Sequence, residues 1–283
     1  SPLTTVSFRT ILAAGFLVLL LAIFKRSYFY IYPAGLLGCS LAGLLNGMGS
    51  IFYYLALDRL SASISQLIYS LYPVFVALWT IMDRRCPSRL TFLRIALAIG
   101  GVFLLTTSAK GQIDWLGVIF MLIASILYGM HLPINQRVLY DIPAQTVTLY
   151  TLLAMSAVVL PAYIFLDFSV PPTAYPWWPI LGLTMVTFLS RITLFIGVKN
   201  LGGMQTAILG LSELLVTITI SYIWLGETLL PLQWLGAGLL GISIFLVGFE
   251  RLSQDRHVSM HNGWLSWIRP PGIPPNFPWN PHN

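Results

Sequence analysis

Nine long apolar runs constrain this chain more than anything else in it. Crossing the hydrocarbon layer of a bilayer takes roughly 20 apolar residues in a helix, more than an ordinary buried helix carries. Runs of about that length fall at 3–24, 35–57, 61–82, 90–109, 113–134, 144–166, 176–198, 202–225 and 229–249. Only 8% of residues are charged, whereas a soluble domain needs about 25% to face water. Outer-membrane strands would alternate apolar and polar residues over ~10 positions, but Ile11 to Phe24 and Ile113 to Ile126 are almost unbroken. The expected fold class is an all-α polytopic membrane protein.

The runs repeat at an offset of 141 residues. Ala56-Leu57-Asp58-Arg59-Leu60-Ser61 falls on Gly197-Val198-Lys199-Asn200-Leu201-Gly202, Tyr54 on Phe195, and Leu71-Tyr72-Pro73 on Ser212-Glu213-Leu214. The identities are few, but four later spans land on four earlier ones, and internal repetition of this kind builds many carriers. The run at 113–134 maps to positions before residue 1. The repeat therefore predicts one further helix ahead of this sequence, nine spans of an expected ten, in two five-helix repeats. Five is odd, so the second repeat enters the membrane from the opposite side and the two are inverted. The expected divisions are 1–109 for the first repeat (helices 2–5), 110–250 for the second (helices 6–10), and 251–283 for a Pro/Trp-rich tail.

Charge supplies an independent orientation. With the further helix starting in the cytoplasm, inner segments carry Lys25, Arg26, Arg84, Arg85, Arg89, Arg94, Arg137, Lys199, Arg251, Arg256 and Arg269. Outer segments carry Arg9, Arg59 and Lys110, and Arg191 lies inside a span. That is the positive-inside pattern, and it predicts a multi-pass protein of the cell (plasma or inner) membrane with a cytoplasmic C-terminus. The net charge of +6 follows from this distribution and does not point to nucleic acid. Cys39 sits in a span and Cys86 in a basic loop, so no disulfide framework is expected.

Gly35, Cys39, Gly43 and Gly47 recur every four residues and predict a close-packing helix face; Gly236, Gly238 and Gly241 suggest a second. Pro73, Pro133 and Pro161 are candidate kinks. The run Arg269-Pro270-Pro271-Gly272-Ile273-Pro274-Pro275 cannot be helical. The tail around it, with Trp264, Trp267 and Trp279, reads as a disordered, solvated cytoplasmic extension.

Several motifs carry a resemblance. Pro2-Leu3-Thr4 with Phe8-Arg9, the stretch Ala56 to Ser63, the pair Leu71-Tyr72-Pro73 and Ser212-Glu213-Leu214, and Leu225-Gly226-Glu227 together resemble the drug/metabolite transporter superfamily, in particular its EamA-type permeases. The resemblance covers residues 2 to 249. It departs where Leu214 stands for a usual proline, predicting a weaker kink, and where Asp83-Arg84-Arg85 replaces a Gly-Glu pair. It implies a ten-helix inverted-repeat carrier, often an exporter, with a central cavity opening alternately to each side.

Polar residues inside the spans are the site candidates, since charge at a helix centre costs about 2.5–3.5 kcal/mol on insertion scales. Arg191 and Glu213 stand out on consecutive antiparallel spans and are expected to pair or share a network, as a site or as a structural lock between helices. Asn46, Ser50 and Tyr54 on one span, Gln66, Tyr69 and Tyr72 on the next, Tyr128 and His131 on the fifth and Ser190 on the seventh complete the candidate cavity. Aromatics with a few polar groups suit amphipathic organic solutes, although each tyrosine is also an ordinary core or interface residue. His131 is a candidate proton carrier.

The function expected is a secondary transporter of small organic metabolites or drugs, working by alternating access. The alternatives are an intramembrane enzyme and a non-transporting receptor or structural protein. The chain has no P-loop, no His-Glu-x-x-His and no Gly-x-Ser-x-Gly, so no enzyme activity is expected. No cofactor or metal is expected either. The partners are a small-molecule solute and the lipid bilayer, with protons as a candidate coupling ion and no nucleic acid.

Overall fold

A computed structural model describes residues 2–60, 62–83, 87–105, 114–166, 178–224, 230–246 and 264–268. All regular structure among them is helical: α1 (Pro2–Phe24), α2 (Pro33–Leu57), α3 (Ala62–Tyr69), α4 (Tyr72–Met82), α5 (Arg89–Leu105), α6 (Trp115–Leu139), α7 (Ala144–Leu166), α8 (Trp178–Leu201), α9 (Gly203–Gly210), α10 (Ser212–Trp224) and α11 (Pro231–Phe245), with one 3₁₀ turn at Arg26–Phe29. Proline opens α2, α4 and α11 within their first two positions, where its missing N–H costs nothing. Asp114 caps α6, its carboxylate accepting from the Leu116 N–H at 2.9 Å.

Six of these segments are long and apolar enough to cross a membrane: Thr4–Phe24, Pro33–Leu57, Ile64–Met82, Trp115–Leu139, Ala144–Phe165 and Trp178–Leu201. The expected spans 90–109, 202–225 and 229–249 run into residues outside the described ones, and what is described of them is shorter. Cys86, Lys110, the pair Arg84-Arg85 and the Leu225-Gly226-Glu227 motif also lie outside. The 61–82 span is divided into α3 and α4, and the 202–225 span into α9 and α10.

α2 packs between α6 and α7, α1 against α7 and α8, α4 on α6 and α9, and α5 on α11. The glycine face of α2 is what lets α7 approach. A Cβ at Gly43 would sit 2.5 Å from both Ala154 Cβ and the Thr151 carbonyl oxygen, and one at Gly47 would sit 2.9 Å from Val158 Cβ. Gly43→Val is therefore expected to destabilise by about 1–3 kcal/mol through overpacking. Gly15→Val is the control, since a Cβ there meets nothing within 4 Å; thermal unfolding in detergent compares the two. The second expected glycine face differs among the described residues: Cβ positions at Gly238 and Gly241 meet none of them within 4 Å, whereas the Gly236 carbonyl faces Gly101. Leu19, Ile23, Phe24, Phe165 and Ile223 point outward, as lipid-facing residues do.

The helix ends sort into two sets. Arg59, closing α2, meets Asp114 at 3.1 Å at one end. The Arg59 guanidinium and the Leu116 N–H hold the Asp114 carboxyl below the ordinary carboxylate range. A depressed folded-state value stabilises above the unfolded one and is lost as pH falls through it. Asp114→Asn, which keeps a cap, should thus lower the thermal midpoint slightly at neutral pH. The difference should vanish as pH drops from the ordinary aspartate value of about 3.9 through the depressed one. At the opposite end, Trp264–Ile268 of the tail folds back onto the helices. Leu265 and Ile268 are 2% and 1% exposed, the Trp264 indole donates to the Trp79 carbonyl at 3.4 Å, and Asp83 accepts from the Leu265 N–H at 3.4 Å. This five-residue segment corrects the expectation of a solvated, disordered tail. Its apolar side chains find a pocket at the ends of α2, α4 and α6, where Gly38 leaves room for Ile268. The rest of 251–283 lies outside the described residues.

Candidate functional site

Two interrupted helices set up the site. In α3–α4 the cause is written in the sequence. Pro73 has no N–H for the Tyr69 carbonyl four residues earlier, and Ser125 Oγ of α6 donates to that carbonyl instead, at 3.0 Å. In α9–α10 the proline is absent, and a weaker kink was the expectation; the helix breaks at Leu211 all the same. Tyr72 Oη donates to the Ala207 carbonyl at 2.7 Å, taking the acceptor that the Leu211 N–H would use, and Leu211 bonds to Ile208 at 3.1 Å. The two interruptions touch there, since a Cβ on Gly210 would collide with Tyr72 Oη. α9 is further fixed at its start: Gly202 holds φ at 90°, a conformation glycine adopts at no steric cost, and Gln136 Oε1 accepts from the Gly203 N–H at 2.9 Å.

Between these breaks and α1, α2, α6 and α8 lie two adjoining chambers of about 250 and 350 Å³. Asn46, Ser50 and Tyr54 of α2, Gln66 and Tyr69 of α3, Tyr128 of α6, Arg191 of α8 and Glu213 of α10 line the first. Tyr72 and Ser190 line the second, which shares Tyr69, Tyr128, Arg191 and Glu213 with the first. His131 reaches neither and is corrected to a core residue. It is fully buried behind Tyr128, with ring centroids 4.6 Å apart, and its Nδ1 is hydrogen-bonded to the Tyr128 carbonyl.

Five tyrosines, Tyr53, Tyr54, Tyr69, Tyr72 and Tyr128, share the walls. Tyr53 stands edge-on to Tyr69 at 5.0 Å and Tyr72 edge-on to Tyr128 at 4.9 Å, the arrangement aromatic quadrupoles favour. The charged groups are held by amides. Gln66 Nε2 donates to Glu213 Oε1 at 3.0 Å. With the Asn46 amide turned so that its oxygen faces the guanidinium, Asn46 accepts from Arg191 Nη1 at 2.9 Å and Nη2 at 3.3 Å, an orientation assigned from the hydrogen bonding. Arg191 is thus tied to α2 rather than to the Glu213 carboxylate.

Arg9 is the charged lining residue that sequence reasoning missed. Charge bookkeeping placed it in an outer segment, but it sits inside α1 and borders both chambers, its Cζ 5.8 Å from the Tyr54 ring centroid. Its depth was the available signal: seven residues into a helix of 1.5 Å rise is ~10 Å. Arg94, also assigned to a flanking segment, is fully buried within α5. Among the described residues no group of three or more His, Cys, Asp or Glu could hold a metal.

Three comparisons bear on this architecture. The family model described as the EamA-like transporter family matches residues 1–107 and 115–249. The chain is 23% identical over 210 residues to the uncharacterized transporter YcbK of Bacillus subtilis (strain 168), covering 70% of this chain and 66% of that protein. It is 25% identical over 227 residues to the uncharacterized transporter sll1319 of Synechocystis sp. (strain ATCC 27184 / PCC 6803 / Kazusa), covering 77% and 68%. The chain thus spans about two thirds of the length of these relatives. One solved crystal structure superposes with a TM-score of 0.67 at 16% identity, covering 87% of this chain and 86% of that one, a likeness of fold.

Proposed function

This chain belongs to the EamA-like transporter family of the drug/metabolite transporter superfamily, and from that membership we propose that it is a secondary carrier. In this reading it moves small organic solutes across the cell membrane by alternating access around the two chambers. The observation that carries the proposal is their position: they sit where two helices break and the breaks abut, through Tyr72 and Gly210. Discontinuous helices are how carriers expose polar groups at mid-membrane depth while keeping the backbone satisfied.

The proposal includes two inverted five-helix repeats, divided at about residue 110. Supporting it, α3 and α9 begin at Ala62 and Gly203 and end at Tyr69 and Gly210, 141 residues apart at both bounds. It also includes a cytoplasmic C-terminal end, supported by the charge asymmetry of the flanking segments. The site residues of this carrier are the ten chamber-lining candidates and Arg9.

Counterflow in proteoliposomes tests the reading. Preloaded vesicles are challenged with labelled amino acids, nucleosides and small organic acids, with and without a proton gradient. Saturable exchange of one class is the expected result, and a gradient effect would identify protons as the coupling ion. Folded protein that exchanges none of a broad panel would overturn the carrier.

A further inference from the structure

We propose, resting on the carrier reading, that the solute is an organic monoanion: a carboxylate on a flat, aromatic-sized body. The inference starts from the charges facing the chambers. Arg9 and Arg191 supply two positive charges and Glu213 one negative. At helix centres such charges are expensive, ~2.5–3.5 kcal/mol each even on insertion scales, so an uncompensated cation is kept for what it binds.

The donors are unevenly used. A guanidinium has five N–H groups. Arg191 spends two nitrogens on the Asn46 oxygen, while Arg9 borders both chambers with its guanidinium over the Tyr54 ring. The planar fork of Arg suits a carboxylate in a way the point charge of Lys does not. Glu213, by contrast, already accepts from Gln66. The Tyr53–Tyr69–Tyr72–Tyr128 wall offers ring faces and edges to a flat body. A zwitterion or a cation of the same shape would leave the excess positive charge unanswered.

The test holds the ring constant and varies the charge. Full-length protein at neutral pH is given phenylacetate, phenylacetamide, phenylalanine or phenethylamine, and both the thermal midpoint in detergent and exchange in proteoliposomes are read. Phenylacetate is expected to stabilise at a concentration at least about tenfold below phenylacetamide and phenethylamine, one lost charge-assisted bond being worth ~1.5–3 kcal/mol, and below phenylalanine, whose ammonium adds a positive charge to a chamber that already has an excess. Arg191→Gln should erase that preference, and Glu213→Gln should strengthen it severalfold; a merely structural role for these residues would not move the two in opposite directions. Equal or better binding of the amide, the amino acid or the amine overturns the solute class while leaving the carrier intact. Selective binding of phenylacetate without exchange of any panel member does the reverse. If folded protein neither binds nor exchanges any of the four, the solute class falls, and the broad panel decides the carrier.

Discussion

Arg191→Gln is expected to slow solute exchange about 10- to 100-fold while leaving the thermal midpoint close to that of the parent. The two parts have different physical origins. Removing a guanidinium that contacts solute forfeits a charge-assisted hydrogen bond, ~1.5–3 kcal/mol. Removing it from within α8 also relieves a charge that was costly to place in the membrane, and glutamine still has a side-chain donor for the Asn46 oxygen. If Arg191 were instead a lock between α8 and α2, the midpoint would fall and exchange by the surviving folded protein would persist. Arg191→Lys separates charge from geometry: it restores the charge but not the fork seen by Asn46 at 2.9 and 3.3 Å, and should recover only part of the rate.

Alanine at both Leu265 and Ile268 is expected to produce the largest loss of stability, about 2–5 kcal/mol per side chain, less where the shared pocket makes the two losses non-additive. Both are almost fully enclosed at an end of the bundle, Ile268 against Gly38 and the neighbouring Trp264 against Trp79. Trp267→Ala, at a side chain 44% exposed, is the control and should shift the midpoint little. A double variant as stable as the parent would show that the segment does not stay docked in solution.

The helical class and six of the nine expected spans were legible because apolar length is a direct record of bilayer thickness. The break at Ser70–Leu71 was legible too, through Pro73. The break at Leu211 was not, because it accompanies a tertiary hydrogen bond from Tyr72 to the Ala207 carbonyl, 135 residues apart in sequence. Of the candidate site, residues were found where polarity interrupted an apolar run, as at Asn46, Gln66, Arg191 and Glu213. His131 interrupts its run in the same way, but the neighbouring Tyr128 ring takes the chamber face, and composition carries no information about which of two adjacent rings stands in front. Arg9 was lost to a rule about loops applied to a residue already a third of the way along its helix. The docked tail was hidden by the prolines that follow it; the four apolar residues among Trp264-Leu265-Ser266-Trp267-Ile268 were the signal in view.

The docked segment also dictates an order of events during synthesis. The bond from Leu265 to Asp83 joins residues 182 apart in sequence. At about 5–20 residues per second, roughly 9–36 s separate the appearance of Asp83 from that of its partner. The ends of α2 and α4 are made by the start of that interval and the end of α6 within it, so the pocket stands without Leu265 and Ile268 until the tail appears. A later-made segment is thus what closes earlier-made helices, and a nascent chain halted before residue 264 displays an apolar hollow that a chaperone or a quality-control protease could read as unfinished.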